Sequence, residues 1–413
     1  MKQNNHLDAL LALRGFACLM VVILHSNPPR NSIVYRGYDL SWLIFSHGWV
    51  AVWIFFVLSG YLMGKAFYAN RYTADVPGVI NFWRNRLVRI VPLYYFSILI
   101  LTLFVYPNWL KIENWGYLLR LFTFSYEFSI TSQPGMNFNV VFWSLSTEVQ
   151  FYILVPFIFS YFKQRFSQPK QVYIAGIFIF LMIFIIRCLF WVSLRREISE
   201  QFSYVVKYWY TPLLTNLDLF LCGFSVNVWL NSQPFNSPIK NNNKLDKIFY
   251  LDRINKKHIA VILIVILYLF TAYYSYHKEL ANLPEIAGKG IRTATTFFIL
   301  PPFTALITSF FVWAFESDIY NSLIKNEKLS FSTILRNPFR ILEVFGNLSY
   351  GIYIWHKPIM ENITPIFTSK IPIEAFYARL TATTILSILL ATVTYYLVEL
   401  PCARWKIYQQ TEQ

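Results

Sequence analysis

Charge is scarce in this sequence. Asp, Glu, Lys and Arg make up 14% of its 413 residues, where soluble globular domains carry roughly 25%. With 56% hydrophobic residues and a mean hydropathy of +0.43, that deficit excludes an ordinary soluble domain. Acidic residues are the scarcest, 21 against 36 Lys and Arg. In a soluble chain the formal charge of +15 would point to nucleic acid. Here the basic residues gather in alternate loops, a pattern of membrane orientation that leaves nucleic acid out as a partner. Cysteine is sparse as well. Cys18, Cys188, Cys222 and Cys402 lie within or at the end of apolar runs, at no spacing that marks a disulfide framework or a metal site. No small-x-small cleavage site is found, and Arg14 interrupts the first apolar run, so that run reads as a retained span and not a signal peptide. No internal repeat is visible, which disfavours the inverted-repeat transporter architectures.

What the chain does have is a series of apolar runs near the length that crosses a bilayer as a helix. About ten are expected, near residues 9–26, 43–65, 87–106, 140–162, 171–192, 207–230, 258–275, 291–315, 343–367 and 376–400. The expected fold class is therefore all-α, a polytopic bundle forming one membrane domain over 1–413 with no separate soluble domain. The aromatic stretch 115–128 is short for a span and reads as an interfacial or re-entrant segment. With the N-terminus inside, Lys and Arg favour the inner segments by about two to one, which puts both termini in the cytoplasm. The basic stretch 231–257 becomes a cytoplasmic loop able to touch anionic lipid. Pro134-Gly135 marks a turn in an outer segment that could cover a cavity mouth.

The first span organises the rest. It carries Arg14 and His25, eleven residues apart. On a helix that is roughly 16 Å of axial rise and about three turns plus 20°, so both lie on one stripe. Intramembrane ionisable groups cost enough that they usually face a partner or a wet cavity. A cation near one end and an imidazole near the other outline a path across the bilayer. The plainer account is an Arg14 that snorkels and a His25 that sits at the interface.

Other spans add polar groups. Ser59 and Gly60 read as a small-residue packing pair or as a close approach to a ligand. Arg84, Arg86 and Arg89 precede Pro92 at the expected start of the third span. They serve either as ordinary positive-inside flanks or, through Arg86 and Arg89 on one face, as a phosphate site. Glu148 lies inside the fourth span and needs a partner. It could orient His25, bind a sugar hydroxyl or make a structural hydrogen bond. Trp143 has an ordinary account as an interface anchor, and His47 reads as interfacial. Asp218 could pair with Arg187, a structural role. Ser349, Tyr353 and His356 recur at i, i+4 and i+7 and could line the same cavity.

Taken together the blocks resemble a known family. Arg-Gly-x-Ala-x-x-x-Val-x-x-x-His over 14–25 looks like the first signature of the acyltransferase 3 family. FFVLSGYLM (55–63), the Arg-x-x-Arg-Ile-x-Pro of 86–92, WSLSTE (143–148) and SYGIYIWH (349–356) are similar to further family blocks, in family order. The other large membrane-bound O-acyltransferase family differs, with its catalytic His and Asn late in the chain. The resemblance implies an enzyme of a bacterial inner membrane with an acyl-CoA donor, most often acetyl-CoA, and a glycan or lipid-linked sugar acceptor. It implies His25 as the catalytic histidine, with Glu148 expected to assist it, Arg14 on its path, and Arg86 and Arg89 near the CoA phosphates. Ser59, Tyr353 and His356 are expected on the cavity wall. His25 would act as general base or as a transient acyl carrier. Many glycan-modifying relatives add a C-terminal hydrolase-like domain, so this chain is expected to complete transfer alone or with a separate partner. Leu400 in Val-Glu-Leu-Pro stands where the family often has Arg, a change expected to be tolerated. The alternative class is a transporter or flippase for a glycan or lipid intermediate, which would work without consuming acyl-CoA.

Overall fold

The computed structural model describes residues 7–126, 138–165, 169–200, 206–232, 243–277, 295–317 and 327–405. Pro134-Gly135 and the middle of the 231–257 stretch lie outside them. The described residues form a helical bundle of α1 (Ala9–His25), α2 (Gly48–Tyr68), α3 (Val76–Ile100), α4 (Trp115–Phe122), α5 (Phe142–Arg165), α6 (Pro169–Glu200), α7 (Leu213–Ser232), α8 (Asn243–His277), α9 (Leu300–Glu316), α10 (Phe331–Arg336), α11 (Ile341–Ile363), α12 (Pro372–Thr394) and α13 (Leu400–Ala403). A two-residue hairpin, β1 (Val34–Tyr35) and β2 (Tyr38–Asp39), is antiparallel with Tyr35 opposite Tyr38.

Among the described residues eight helices are long and apolar enough to cross a membrane. Neither α1 nor α11 is one of them. At 17 residues α1 is short, and α11 is interrupted by Glu343, Asn347, Lys357 and Glu361. These two helices pack on each other in parallel. Cys18 meets Ser349 and His25 meets His356, both 331 positions on, and Gly15 meets Gly346 at the same offset. At the N-terminal ends, Asp8 caps α1 by accepting from the Leu11 amide at 3.0 Å, while its own amide donates to Glu343 at 2.9 Å. Glu343 is held in turn by the buried Arg340 at 2.9 Å.

The register depends on two glycines. A Cβ on Gly15 would run into the Leu342 carbonyl, and one on Gly346 into the Leu11 carbonyl. Backbone cannot yield as a side chain does, so the close approach needs glycine at both places. Gly346→Ala is expected to destabilise the bundle by about 1–3 kcal/mol, read as a lower thermal midpoint in detergent. A second reciprocal pair locks α2 to α7, with Gly60 on Phe220 and Gly223 on Val57. Gly60 thus serves packing, while Ser59 beside it turns the other way.

Two helix starts differ most from the sequence expectation, for local reasons. Helix α3 starts at Val76 because Asp75 caps it, accepting from the Gly78 amide at 3.2 Å, with a proline in the first turn. Arg84, Arg86 and Arg89 therefore stand two to four turns inside a helix and not at its mouth. Helix α8 starts at Asn243, inside the expected 231–257 loop; Leu245, Ile248 and Phe249 recur there at helical spacing. In the 115–128 stretch, α4 is an eight-residue helix, mostly exposed.

Candidate active site

A cavity of about 390 Å³ opens among α1, α2, α3, α5, α9 and α11. Its wall includes Arg14, Arg86 and Arg89, and also Lys65 and Arg71 from the C-terminal end of α2 and the turn after it. Three carboxylates, Asp8, Glu148 and Glu316, share the wall. Cations outnumber anions, and four of the five are guanidinium groups, whose planar fork suits phosphate or carboxylate. Glu316 is already engaged: its carboxylate accepts from Lys65 at 2.5 Å and from the Tyr61 hydroxyl at 2.7 Å. Arg14 Nε and Arg86 Nε are buried without a hydrogen-bond partner among the described residues. Buried donors of this kind call for an acceptor. Arg84 is exposed and off the wall.

The wall also carries a group of hydroxyls around one of the carboxylates. Glu148 accepts from Ser59 Oγ and from the Tyr152 hydroxyl, both at 2.6 Å. The Tyr353 hydroxyl is 2.7 Å from Ser144 Oγ, and its ring lies 5.8 Å from that of His356 and 6.2 Å from Phe55. Beyond Tyr353 comes the histidine pair: His25 Nδ1 is 2.8 Å from His356 Nε2, and His356 Nδ1 is 3.1 Å from the Ile352 carbonyl. The two ring planes are 21° from parallel with centroids 5.0 Å apart, an edge-to-edge arrangement that suits an in-plane N–H···N bond. His356 is 0% exposed; His25, at the end of α1, is partly exposed.

Arg14, Ser59, Arg86, Arg89, Glu148 and Tyr353 all line this cavity. Two expectations need correction. His356 is not on this wall. It sits behind Tyr353 and faces α1, because the parallel register sets it opposite His25. Glu148 is not the group on His25. Its Oε1 accepts from Ser59 and Tyr152, and His356 is the residue hydrogen-bonded to the His25 imidazole. Tyr353 and Phe55 line the cavity, and His25 and His356 are not among its lining residues.

The sequence reading also passed over Lys65 and Arg71, which looked like ordinary loop charges. The signal was the short connection from α2 to α3, which returns the chain beside the α3 arginines. Trp143 is buried against Trp49 and Phe56 and is not an interface anchor. His47, also buried, packs on Trp53 and Tyr274.

At the His25 end the chain is tied down. Ser46 donates to the Met20 carbonyl at 2.5 Å. The segment after α1 is fastened to the end of α8 through Arg30 with the Tyr276 carbonyl and through the Tyr276 hydroxyl with Asp39 and, at 3.1 Å, the Asn31 amide. Lys357, adjacent to His356, pairs with Glu361 at 3.2 Å. Such an end can present an imidazole to a molecule outside the bundle, while the opposite end can hold a polyanion.

Comparison with known proteins gives consistent results. A family model described as an acyltransferase domain matches residues 7–397. The O-acetyltransferase OatA of Staphylococcus aureus (strain NCTC 8325 / PS 47) is 23% identical over 432 residues, covering 97% of this chain and 58% of the relative. The peptidoglycan O-acetyltransferase OatA of Listeria monocytogenes serovar 1/2a is 24% identical over 383 residues, covering 88% of this chain and 51% of the relative. This chain thus spans little more than half the length of these relatives. No solved structure gives a significant match.

Proposed function

The chain belongs to the acyltransferase 3 family, and from that premise we propose that it is a membrane O-acetyltransferase, taking an acetyl group from acetyl-CoA on the cytoplasmic side and placing it on a glycan hydroxyl outside. One observation carries the reading. The α1–α11 pair holds an arginine-walled cavity at one end and an imidazole pair at the other, joined by Tyr353. The relatives' names supply the acyl group and the glycan acceptor, peptidoglycan in the Listeria protein.

In this reading the CoA phosphates rest on Arg86 and Arg89, with Lys65 and Arg71 at the mouth. The pantetheine arm runs past Arg14 and Ser59. The Arg14–His25 separation of roughly 16 Å along the helix is comparable to the reach of that arm. Tyr353, on the cavity wall and in ring contact with His356, marks the way from the cavity to the imidazole pair. His25 takes the proton from the acceptor hydroxyl as its oxygen attacks the thioester carbonyl. When the tetrahedral intermediate collapses, the C–S bond breaks and the proton passes to the CoA thiolate. The products are the O-acetylated sugar and free CoA.

Arg86→Ala is expected to weaken donor binding by about 10- to 100-fold, the loss of a charged hydrogen bond, with kcat much less affected. Isothermal titration with CoA checks it, and an unchanged affinity would remove Arg86 from the phosphate site. The function itself is tested in vesicles containing the full chain, supplied with labelled acetyl-CoA on one side and soluble glycan fragments on the other. Label appearing on the glycan with release of CoA is expected. Glycan movement across the membrane without CoA release would replace the enzyme with a transporter.

A further inference from the structure

The mechanism above asks one nitrogen of His25 to be unprotonated and aimed at the acceptor. We propose that His356 is the positioning residue that makes this so, holding His25 with its proton on Nδ1 and its lone pair on Nε2. The inference rests on His25 being the general base, although the proton placement itself does not.

The argument follows the chain of partners. A carbonyl oxygen can only accept, so His356 Nδ1, 3.1 Å from the Ile352 carbonyl in the same helix, carries a hydrogen. Neutral His356 then has a bare Nε2. That atom lies 2.8 Å from His25 Nδ1 and must receive a hydrogen from it. His25 Nδ1 is therefore the donor, and His25 Nε2 keeps its lone pair. The order is carbonyl, imidazole, imidazole, with one hydrogen between each pair. When His25 takes a proton on Nε2, its Nδ1–H stays on the His356 lone pair, so the cation forms without rearrangement. A carboxylate fills this place in the familiar triads. Here His356 holds that place on His25 Nδ1, and Glu148 Oε1 is hydrogen-bonded to Ser59 and Tyr152.

The fold supports this assignment. Fully buried His356 has its ring fixed by its own helix, by Tyr353 and by the near-coplanar hydrogen bond to His25. The glycine contacts that set the α1–α11 register hold the two imidazoles in line. Polar residues in a span need partners; this one has a partner on each ring nitrogen.

Two variants separate positioning from packing. His356→Gln keeps an acceptor oxygen within reach of His25 Nδ1, whereas His356→Leu fills the space without one. In vesicles with labelled acetyl-CoA and soluble peptidoglycan glycan fragments, His356→Leu is expected to lower kcat by about 10²- to 10⁴-fold, as loss of the correct tautomer does, with KM for acetyl-CoA little changed. His356→Gln is expected to recover most of that loss. In ¹⁵N-histidine-labelled protein, with His25 assigned by difference against His25→Asn, the bare nitrogen is expected at Nε2 in the wild type and in His356→Gln. Equal losses in folded Leu and Gln variants, or a wild-type His25 whose bare nitrogen is Nδ1, would overturn the proposal. Should His356→Leu not fold, the spectra of the wild type and His356→Gln decide alone. A wild type with the expected spectrum but no transfer would sink the proposed activity and still support the tautomer lock.

Discussion

His25→Ala is expected to abolish acetyl transfer, a fall of at least about 10²-fold, while the chain still inserts, folds and binds donor. The separation of effects follows from where the residue sits. His25 is the last residue of α1 and only partly buried, so truncation opens little space. The α1–α11 contact is made below it, by Gly15, Gly346 and the Cys18–Ser349 approach. Donor binding is assigned to the opposite end of the cavity. Transfer measured with labelled acetyl-CoA, CoA affinity and thermal midpoint should therefore respond differently to this one change. Full activity in the alanine variant would remove His25 from the chemistry. A parallel loss of donor affinity would show that the two ends are not independent.

How much of this was legible beforehand depended on the kind of signal. Single-helix periodicity placed Arg14 and His25 on one stripe, and Ser349, Tyr353 and His356 on another, because those relations are local. It could not say which helices would be neighbours. The parallel pairing of α1 with α11 joins residues 331 apart, and nothing in hydropathy reports that. For this reason Glu148, the intramembrane carboxylate nearest in expectation, was assigned to His25, and His356 was left as wall lining. Length and apolarity were misleading in a useful way. The two helices to which the chemistry is assigned, α1 and α11, are not among the eight long and apolar enough to cross a membrane, because α1 is short and α11 carries Glu343, Lys357 and Glu361. Loop charges carry no signal that separates a flank from a cavity wall, so Lys65 and Arg71 are picked out only by the fold, which places them with Arg86 around one cavity.

The bundle also contains a charge pair the cavity does not use, and breaking it is expected to cost more stability than any other single change discussed. Arg187 in α6 and Asp218 in α7 are 3% and 1% exposed. Nη2 donates to Oδ1 at 3.0 Å, Nη1 lies 2.9 Å from Oδ2, and Nη2 also donates to the Thr215 carbonyl at 2.7 Å. Helix α6 is otherwise the most lipid-like of the spans, with a face of Ile177, Phe178, Leu181 and Phe184 exposed, so this pair is a main anchor of α6 to the bundle. Asp218→Leu would leave a buried guanidinium without its counter-charge, a change expected to destabilise by about 3–5 kcal/mol. Replacing both residues with Leu is expected to recover most of that loss, because the attraction of a buried pair is largely offset by its desolvation. Thermal midpoints of the two single variants and the double variant, in one detergent, give the coupling directly. If the double variant is as unstable as Asp218→Leu, the pair contributes more than mutual neutralisation. In that case the Arg187 hydrogen bond to Thr215 is what keeps α6 in place.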